Sequence, residues 1–187
     1  MKLSRKFVSD YIDIDPKLTI KDIAEDMTNV GNEYDSAEKL INCTNLVIGQ
    51  VVKCEMHPDS DHLHVCKVDI GSEVLDIVCG APNVREGIKV IVAKVGAKLP
   101  GGDIKKSTIR GCVSNGMLCS IKELGLEHKF LSEADINGIH ELPDDAVVGE
   151  DPIKYLELDD EVIDFELTSN RGDLLSILGM AYELGAI

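Results

Sequence analysis

The spacing of the apolar residues changes twice along this chain of 187 residues. Up to residue 39 they recur at helical spacing, whereas from about Asn45 they fall in short β-branched runs that glycine-containing turns separate. After Asp151 and Pro152 a further strand and a helix are predicted. The β-branched runs lie at residues 47–52, 63–70, 74–79 and 88–95. Several short strands with glycine corners predict a small closed barrel of five strands, in a chain of the α+β class.

Each segment that flanks the predicted barrel contains a helix with an apolar face that its own segment is too short to bury. The first helix, predicted over residues 18–31, begins with Thr19 and Asp22 at the spacing of a shortened capping box. The second begins at Asp173, whose carboxylate is expected to cap it. The apolar face of this second helix consists of Leu174, Ile177, Leu178, Ala181 and Tyr182. Mutual burial predicts one discontinuous α+β domain, residues 1–39 and 152–187, into which a barrel domain of residues 40–151 is inserted.

Charge is distributed unevenly along the chain, whose net charge is −15. Residues 85–110, the basic strip, carry seven basic residues against two acidic ones, a balance of +5, whereas residues 152–187 carry two against eight, a balance of −6. Lysine and arginine that neutralise phosphates dominate nucleic-acid affinity, so the strip is the candidate site. The candidate residues are Arg85, Lys89, Lys94, Lys98, Lys105, Lys106 and Arg110, with a polar edge of Asn83, Ser114 and Asn115.

The sequence lacks the motifs of nucleotide-dependent catalysis. It contains neither Gly-x-x-x-x-Gly-Lys-Ser/Thr nor Gly-x-Gly-x-x-Gly between a strand and a helix, and it contains no nucleophile elbow. Solvated surface explains its many carboxylates, so we predict no catalytic residue. Between residues 40 and 151 the one aromatic residue is Phe130. Because stacking of unpaired bases needs aromatic platforms, weak, backbone-directed recognition of a folded RNA is predicted instead.

The histidines and cysteines do not match a recognised zinc motif. The six cysteines stand at positions 43, 54, 66, 79, 112 and 119 without a Cys-x-x-Cys pair, which indicates reduced thiols of the core. The candidate for a metal site is the group His57, His62, His64 and Cys66. A loop followed by a half-exposed strand accounts for these residues without a metal, and no bound metal is predicted.

The chain contains no apolar run that approaches the roughly 20 residues of a membrane helix. Its basic first six residues are followed by Asp10 and Asp13 rather than by the apolar core of a signal peptide. We therefore expect a soluble, cytoplasmic protein with no membrane contact.

The predicted barrel contains a recognisable set of residues: Gly49, His57-Pro58, Asp61, Val68-Asp69-x-Gly71, residues 78–84, Arg110-Gly111, Ser114 and residues 116–120. In these residues the chain resembles the tRNA-binding module that several aminoacyl-tRNA synthetases carry, an oligonucleotide/oligosaccharide-binding (OB) fold. Residues 167–173 (Leu-Thr-Ser-Asn-Arg-Gly-Asp), behind an N-terminal helical segment, are similar to the β subunits of bacterial phenylalanyl-tRNA synthetases. His62 departs from the family pattern, which has lysine there, and this weakens the positive edge.

The resemblance implies that the chain is the N-terminal fragment of a longer β subunit, with a role in RNA contact and subunit assembly. The parent assembly would be an α2β2 tetramer that joins phenylalanine to tRNA with ATP and Mg²⁺. Activation of phenylalanine would belong to the α subunit and editing to a later part of β, so the fragment itself would have no catalytic residue and no cofactor. Two alternatives stay open: a free-standing tRNA-binding or chaperone-like module, and a protein-interaction domain whose basic strip contacts a protein.

Overall fold

The computed structural model describes residues 1–126, 131 and 136–187. In chain order its strands are β1 (Lys2–Ser4), β2 (Tyr34–Lys39), β3 (Leu46–Met56), β4 (His64–Asp69), β5 (Val74–Cys79), β6 (Lys89–Lys94), β7 (Lys98–Leu99), β8 (Gly102–Asp103), β9 (Ser107–Ile109), β10 (Cys112–Ser114), β11 (Gly116–Cys119), β12 (Glu141–Leu142) and β13 (Glu161–Phe165). The helices are α1 (Arg5–Ser9), α2 (Ile20–Asn29), α3 (Pro152–Tyr155) and α4 (Ile177–Leu184), and 3-10 helices lie at Ile121–Leu124 and Gly172–Leu175.

The chain divides into two compact units. Met1–Leu40 and Leu158–Ile187 form the terminal unit, and Ile41–Glu157 forms the barrel unit. Residues 152–157, which the sequence assigns to the discontinuous domain, therefore lie in the barrel unit. The backbone explains this difference, because the Ile48 N–H donates to Glu150 O at 2.8 Å and the Gly149 N–H donates to Ile48 O at 2.9 Å. These bonds extend the β3 pairing as far as the residues that lead into α3.

The barrel unit is built on one curled antiparallel sheet. Its strands follow the order β11-β6-β3-β4-β5, and the two-residue β12 adds to β6. Each predicted β-branched run coincides with one of the strands β3 to β6, although β3 extends to Met56, four residues further than predicted. The predicted fold class, α+β with a five-stranded OB barrel, is confirmed by this sheet.

Two hydrogen bonds bring the ends of the curled sheet together. The Asn115 N–H donates to Asp76 O at 2.8 Å, and the Val78 N–H donates to the Ser114 Oγ at 3.1 Å. Inside the sheet, Gly49 allows a close approach of neighbouring strands, because a Cβ at this position would lie 2.7 Å from Val92 Cγ2. The core that fills the barrel is apolar and includes Val51, Val68, Ile77, Val90 and Val92.

The terminal unit packs helices on a three-stranded antiparallel sheet of order β1-β13-β2. At the start of α2 the Asp22 N–H donates to the Thr19 hydroxyl at 3.2 Å and the Thr19 N–H donates to Asp22 Oδ2 at 2.7 Å, which is the predicted capping box. The buried residues come from both ends of the chain: Leu3, Val8, Ile23, Ala24, Met27, Ile163, Phe165, Leu174, Met180 and Ala181. Residues of α2 and of α4 thus lie in the same buried cluster.

The last helix differs from its prediction in its start and in its buried face. It begins at Ile177 rather than at Asp173, because Ser176 has an extended backbone and its Oγ accepts from the Gly179 N–H at 3.1 Å. Leu178 is 50% exposed and Tyr182 is 74% exposed, so the predicted apolar face is buried only in part. Met180, absent from the predicted face, is completely buried. Within the described residues, no helix has the length and apolarity to cross a membrane.

Candidate nucleic-acid interface

Two cations of the basic strip are bound within the fold. Arg85 forms a bidentate pair with Glu141, with Nη1–Oε1 and Nη2–Oε2 both at 2.7 Å. This hydrogen bonding raises the pKa of Arg85 and lowers the pKa of Glu141. Lys89 Nζ donates to the carbonyl oxygens of Asp144 and Ala146. Neither side chain is therefore a free cation that could meet a phosphate without giving up these bonds.

Two members of the predicted polar edge also serve the fold. The Asn83 Nδ2 donates to Ile139 O at 2.8 Å while its Oδ1 accepts from the Ile139 N–H at 3.0 Å, which clamps residues 83 and 139 together. Ser114 is 2% exposed, and its hydroxyl both accepts from Val78 and donates to Gly116 O at 2.9 Å. Asn115 is half-buried, and its backbone N–H helps to close the barrel.

Four lysines form the unpaired part of the strip. Lys98, Lys105 and Lys106 are exposed and Lys94 is half-buried. None of their ammonium groups has a hydrogen bond or ion pair with a residue in the described ranges. Elsewhere on the barrel, Lys67 pairs with Asp76 at 2.9 Å and Lys53 pairs with Glu55 at 2.9 Å, whereas the exposed Lys122 and Lys154 have no partner within the described ranges. Free positive charge on the described barrel is thus concentrated in the second half of the strip, between residues 94 and 110.

Arg110 stands at the tip of the hairpin that joins β9 to β10. Arg110 and Gly111 have φ angles of 46° and 86°, as the primed turn of a two-residue hairpin requires. The Arg110 Nη1 donates to Asp59 O at 2.7 Å. Beside it the His57 Nε2 lies 3.2 Å from Ile109 O, and the Asp59 N–H donates to His57 Nδ1 at 3.1 Å. The hairpin tip is therefore tied to the loop that follows β3.

The sequence did not predict the contact between the loop of residues 57–62 and the hairpin tip of residues 109–111, although both segments contain residues that carry the family resemblance. His57-Pro58 and Arg110-Gly111 are separated by about fifty residues, and nothing in their spacing indicates that they meet. We name residues 57–62 and 109–111 the His57–Arg110 corner.

A cleft of about 460 Å³ opens between β5, β11 and the segment that leads into β9. Lys105, Ser107 and Ile109 line one wall, and residues 136–139 line another. The described lining residues include no aromatic side chain. Phe130, the one aromatic residue between positions 40 and 151, lies outside the described residues. The described wall of the cleft therefore offers no stacking platform for a base.

The four residues of the candidate metal site do not converge. His57 is buried with its ring nitrogens engaged as above, whereas His62 is exposed and its Nδ1 lies 2.9 Å from Asp61 Oδ1. His64 Nδ1 is buried without a hydrogen-bond partner in the described part of the chain. Cys66 is buried, with its Sγ 3.7 Å from that of Cys54. Among the residues that the structure describes, no group of three or more His, Cys, Asp or Glu is arranged to hold a metal ion.

The cysteines are free thiols. Cys66, Cys79 and Cys119 are buried, as predicted for core thiols, and the other three are half-buried. Burial raises the pKa of the Cys119 thiol to about 12, and it also raises that of Cys66. These thiols are therefore protonated at neutral pH and are poor nucleophiles and poor metal ligands.

Among known proteins, the chain is similar in sequence to β subunits of phenylalanine–tRNA ligases. It is 50% identical over 190 aligned positions to the phenylalanine–tRNA ligase β subunit of Idiomarina loihiensis and 46% identical to that of Geobacillus kaustophilus. These alignments cover all of this chain but only 23% and 24% of the relatives, so the chain spans about a quarter of their length.

Solved structures resemble the chain less closely. The C-terminal domain of Plasmodium vivax p43 is 26% identical, with 57% of each chain covered, at a TM-score of 0.40, which is too low to support a shared overall fold. The model of the putative tRNA binding domain matches residues 46–151, which include every strand of the barrel sheet and the whole basic strip. The chain belongs to this family, the putative tRNA binding domains.

Proposed function

We propose that this chain binds tRNA as the N-terminal region of a phenylalanine–tRNA ligase β subunit and that it is not itself catalytic. The family match covers the barrel, and the similarity to ligase β subunits extends over both flanking segments. The second of these facts favours the ligase over a free-standing tRNA-binding or chaperone-like module, which would have no need of the terminal unit.

The contact that we propose is weak and directed at the RNA backbone. It uses Lys94, Lys98, Lys105, Lys106 and Arg110, which outnumber the single acid Asp103 within residues 94–110. The observation that carries the proposal is that the four lysines among them have no partner among the described residues. Lysine at these positions attracts phosphate without reading base edges, which suits recognition of a folded RNA by its shape. Arg85, Lys89, Asn83 and Ser114 support this surface through the fold and are left out of the proposed contact.

The remaining parts of the proposal concern the whole ligase. The relatives are named β subunits, which supports an α-subunit partner, and we extend this to an α2β2 assembly that charges tRNA with phenylalanine by means of ATP and Mg²⁺. Six free thiols suit a reducing compartment, so we place the assembly in the cytoplasm. Assembly itself would use exposed apolar side chains of the terminal unit, of which Leu175, Leu178 and Tyr182 are at least half exposed.

Reversal of two of the free lysines tests the tRNA contact. The variant Lys105→Glu/Lys106→Glu should lose most of its affinity for tRNA, because counterion release falls with each phosphate contact that is lost. For the unaltered chain we expect a dissociation constant no lower than the roughly 10⁻⁴ to 10⁻⁶ M of non-specific binding, and a steep loss of affinity with salt. Titration of labelled tRNA at low and moderate salt measures both.

The matched control is Lys17→Glu/Lys21→Glu, which makes the same change of charge at exposed positions of the terminal unit. It should leave the affinity nearly unchanged, because the proposed contact uses only residues of the barrel unit. Equal losses from the two double variants would show that only net charge matters and would refute the proposed surface.

A further inference from the structure

The His57–Arg110 corner joins two loops that lie about fifty residues apart in the sequence. Three hydrogen bonds make the joint: His57 Nε2 to Ile109 O at 3.2 Å, Arg110 Nη1 to Asp59 O at 2.7 Å, and the Asp59 N–H to His57 Nδ1 at 3.1 Å. The first two cross between the loops and the third holds the first loop to its own histidine. Neither loop can move without breaking one of the crossing bonds.

The hydrogen-bond pattern fixes the tautomer of His57. Because Nδ1 accepts from a backbone N–H, it carries no hydrogen, and the ring hydrogen must reside on Nε2, which then donates to Ile109 O. The residue is 2% exposed, so water does not compete for either nitrogen. His57 in its neutral form is thus a two-ended link between the loop after β3 and the hairpin tip.

Arg110 is the residue that this link holds in place. Its backbone φ angle of 46° is uncommon for a residue other than glycine. Such a backbone conformation persists where the surrounding hydrogen bonds hold it. One of its five N–H donors is engaged by Asp59 O, and the guanidinium makes no other hydrogen bond with the described part of the chain. The rest of the planar group is exposed and has a restricted orientation, which suits a phosphate, whose oxygens match the guanidinium fork.

We propose that Arg110 is an arginine contact to an RNA phosphate and that His57 is its positioning residue, acting through Ile109 and Asp59. This inference rests on the proposed function, since it names one contact within the proposed tRNA surface. It differs from the lysine contacts in kind, because free lysines act as mobile point charges whereas Arg110 is oriented before the RNA arrives.

Asp61 opposes this contact. Its side chain is 97% exposed. Its pKa is lowered chiefly by the hydrogen bond with His62 and, to a smaller extent, by the charge of Arg110. Asp61 stands two residues after Asp59, whose carbonyl oxygen accepts from Arg110, so its carboxylate adds a negative charge to the loop that holds the guanidinium. Removal of this charge should strengthen RNA binding.

Two substitutions at His57 separate its two bonds. In His57→Asn the amide oxygen takes the place of Nδ1 and still accepts from Asp59, but it cannot reach Ile109. In His57→Gln the amide nitrogen takes the place of Nε2 and still donates to Ile109. We expect His57→Asn to lower tRNA affinity on the order of tenfold, which is the size of one charge-assisted hydrogen bond, and His57→Gln to stay close to the unaltered chain.

A double-mutant cycle separates positioning from simple stabilisation. Arg110→Ala should lower affinity by about the same factor as His57→Asn, and the combination should lower it no further, because two changes that act through one contact are not additive. Asp61→Asn should raise affinity at low salt, while the matched control Asp13→Asn in the terminal unit should not. A nitrogen-15 spectrum of the imidazole should show the hydrogen on Nε2.

Three results would overturn the inference: a full additional loss from His57→Asn in the Arg110→Ala background, no effect of Arg110→Ala alone, or a hydrogen on Nδ1. If His57→Asn unfolds the barrel, His57→Gln and the tautomer of the ring still test the positioning role, and Arg110→Ala still tests the phosphate contact. Loss of binding in Lys105→Glu/Lys106→Glu with no effect of Arg110→Ala would refute this inference alone. Absence of any binding by the unaltered chain would refute the proposed function as well.

Discussion

The hydroxyl of Ser114 joins three strands of the barrel. It accepts from Val78 of β5 and donates to Gly116 at the start of β11, while Ser114 itself ends β10. A serine beside a basic strip suggests a ligand contact, but 2% exposure leaves this one without access to solvent. Its role is to satisfy a backbone N–H at the edge where the sheet closes, a group that is costly to leave unpaired when buried.

Ser114→Ala should therefore weaken the barrel and spare RNA binding. We expect a loss of about 1–3 kcal/mol in the free energy of unfolding, because the Val78 N–H is left without a partner. Urea unfolding measures this loss, and titration with tRNA should give an unchanged affinity at temperatures where the variant is folded. Ser72→Ala, at an exposed turn, is the control and should change stability by less than about 0.5 kcal/mol. A variant as stable as the unaltered chain would contradict this role.

At the scale of elements, the last helix is held by a loop residue as well as by its buried side chains Met180 and Ala181. Arg171 donates to both carboxylate oxygens of Glu183 on α4, at 3.1 and 2.8 Å, and to Asn32 Oδ1 after α2 at 3.0 Å. It also binds Asp173, so that aspartate pairs with the arginine and does not cap the helix as the sequence suggested. The loop thus connects the ends of the two main helices of the terminal unit.

Arg171→Gln should destabilise the terminal unit in a way that depends on pH. Hydrogen bonds from Arg171 lower the pKa of Glu183 and of Asp173 below their ordinary values of 4.5 and 3.8. A lowered carboxyl pKa stabilises the folded state above the ordinary value, and this contribution is lost as pH falls through the folded pKa. The difference in urea midpoint between variant and unaltered chain should thus be largest at neutral pH and should shrink below about pH 4.5.

The control for this titration is Lys21→Gln, an exposed lysine of α2 with no partner among the described residues. It should produce a small change that varies little with pH. If the difference in urea midpoint between Arg171→Gln and the unaltered chain stays constant from neutral pH to pH 3, the ion pairs of Arg171 contribute nothing to the stability of the terminal unit.

At the scale of the whole molecule, the two units bury separate cores. The core of the terminal unit combines residues from both ends of the chain, and its central strand β13 comes from the second end. Among the described residues, the barrel core consists of side chains between Val47 and Ile139. Because these described core residues all belong to the barrel segment, we propose that the barrel folds independently while the first 40 residues do not.

Removal of residues 158–187 should unfold the first 40 residues and leave the barrel intact. The deletion takes away β13 together with Leu174 and Met180, which leaves Val8 and Met27 without cover. Amide hydrogen exchange should show loss of protection in α2 and retention in β3 to β6, and the shortened protein should aggregate. A protein of residues 41–157 should unfold cooperatively in urea. Retained protection of α2 after the deletion would refute the discontinuous domain.

Features that depend on residues close together along the chain can be predicted without the structure. The apolar spacing of β3 to β6, the Thr19–Asp22 capping box and the family motifs are all visible in short stretches of sequence. Strand alternation and capping involve residues only a few positions apart. The basic strip is also visible in the sequence, because it is one continuous segment, residues 85–110.

Which residues of the basic strip are free to contact a phosphate depends instead on contacts between residues far apart along the chain. Arg85 and Glu141 are 56 residues apart, as are Asn83 and Ile139, and no local pattern indicates that either pair will meet. His57 and Ile109 are likewise joined across 52 residues. The start of α4 depends on the conformation of Ser176, and its buried face depends on the position of the core. Long-range contacts thus separate a lysine free to meet phosphate from an arginine already paired, although the two carry the same charge.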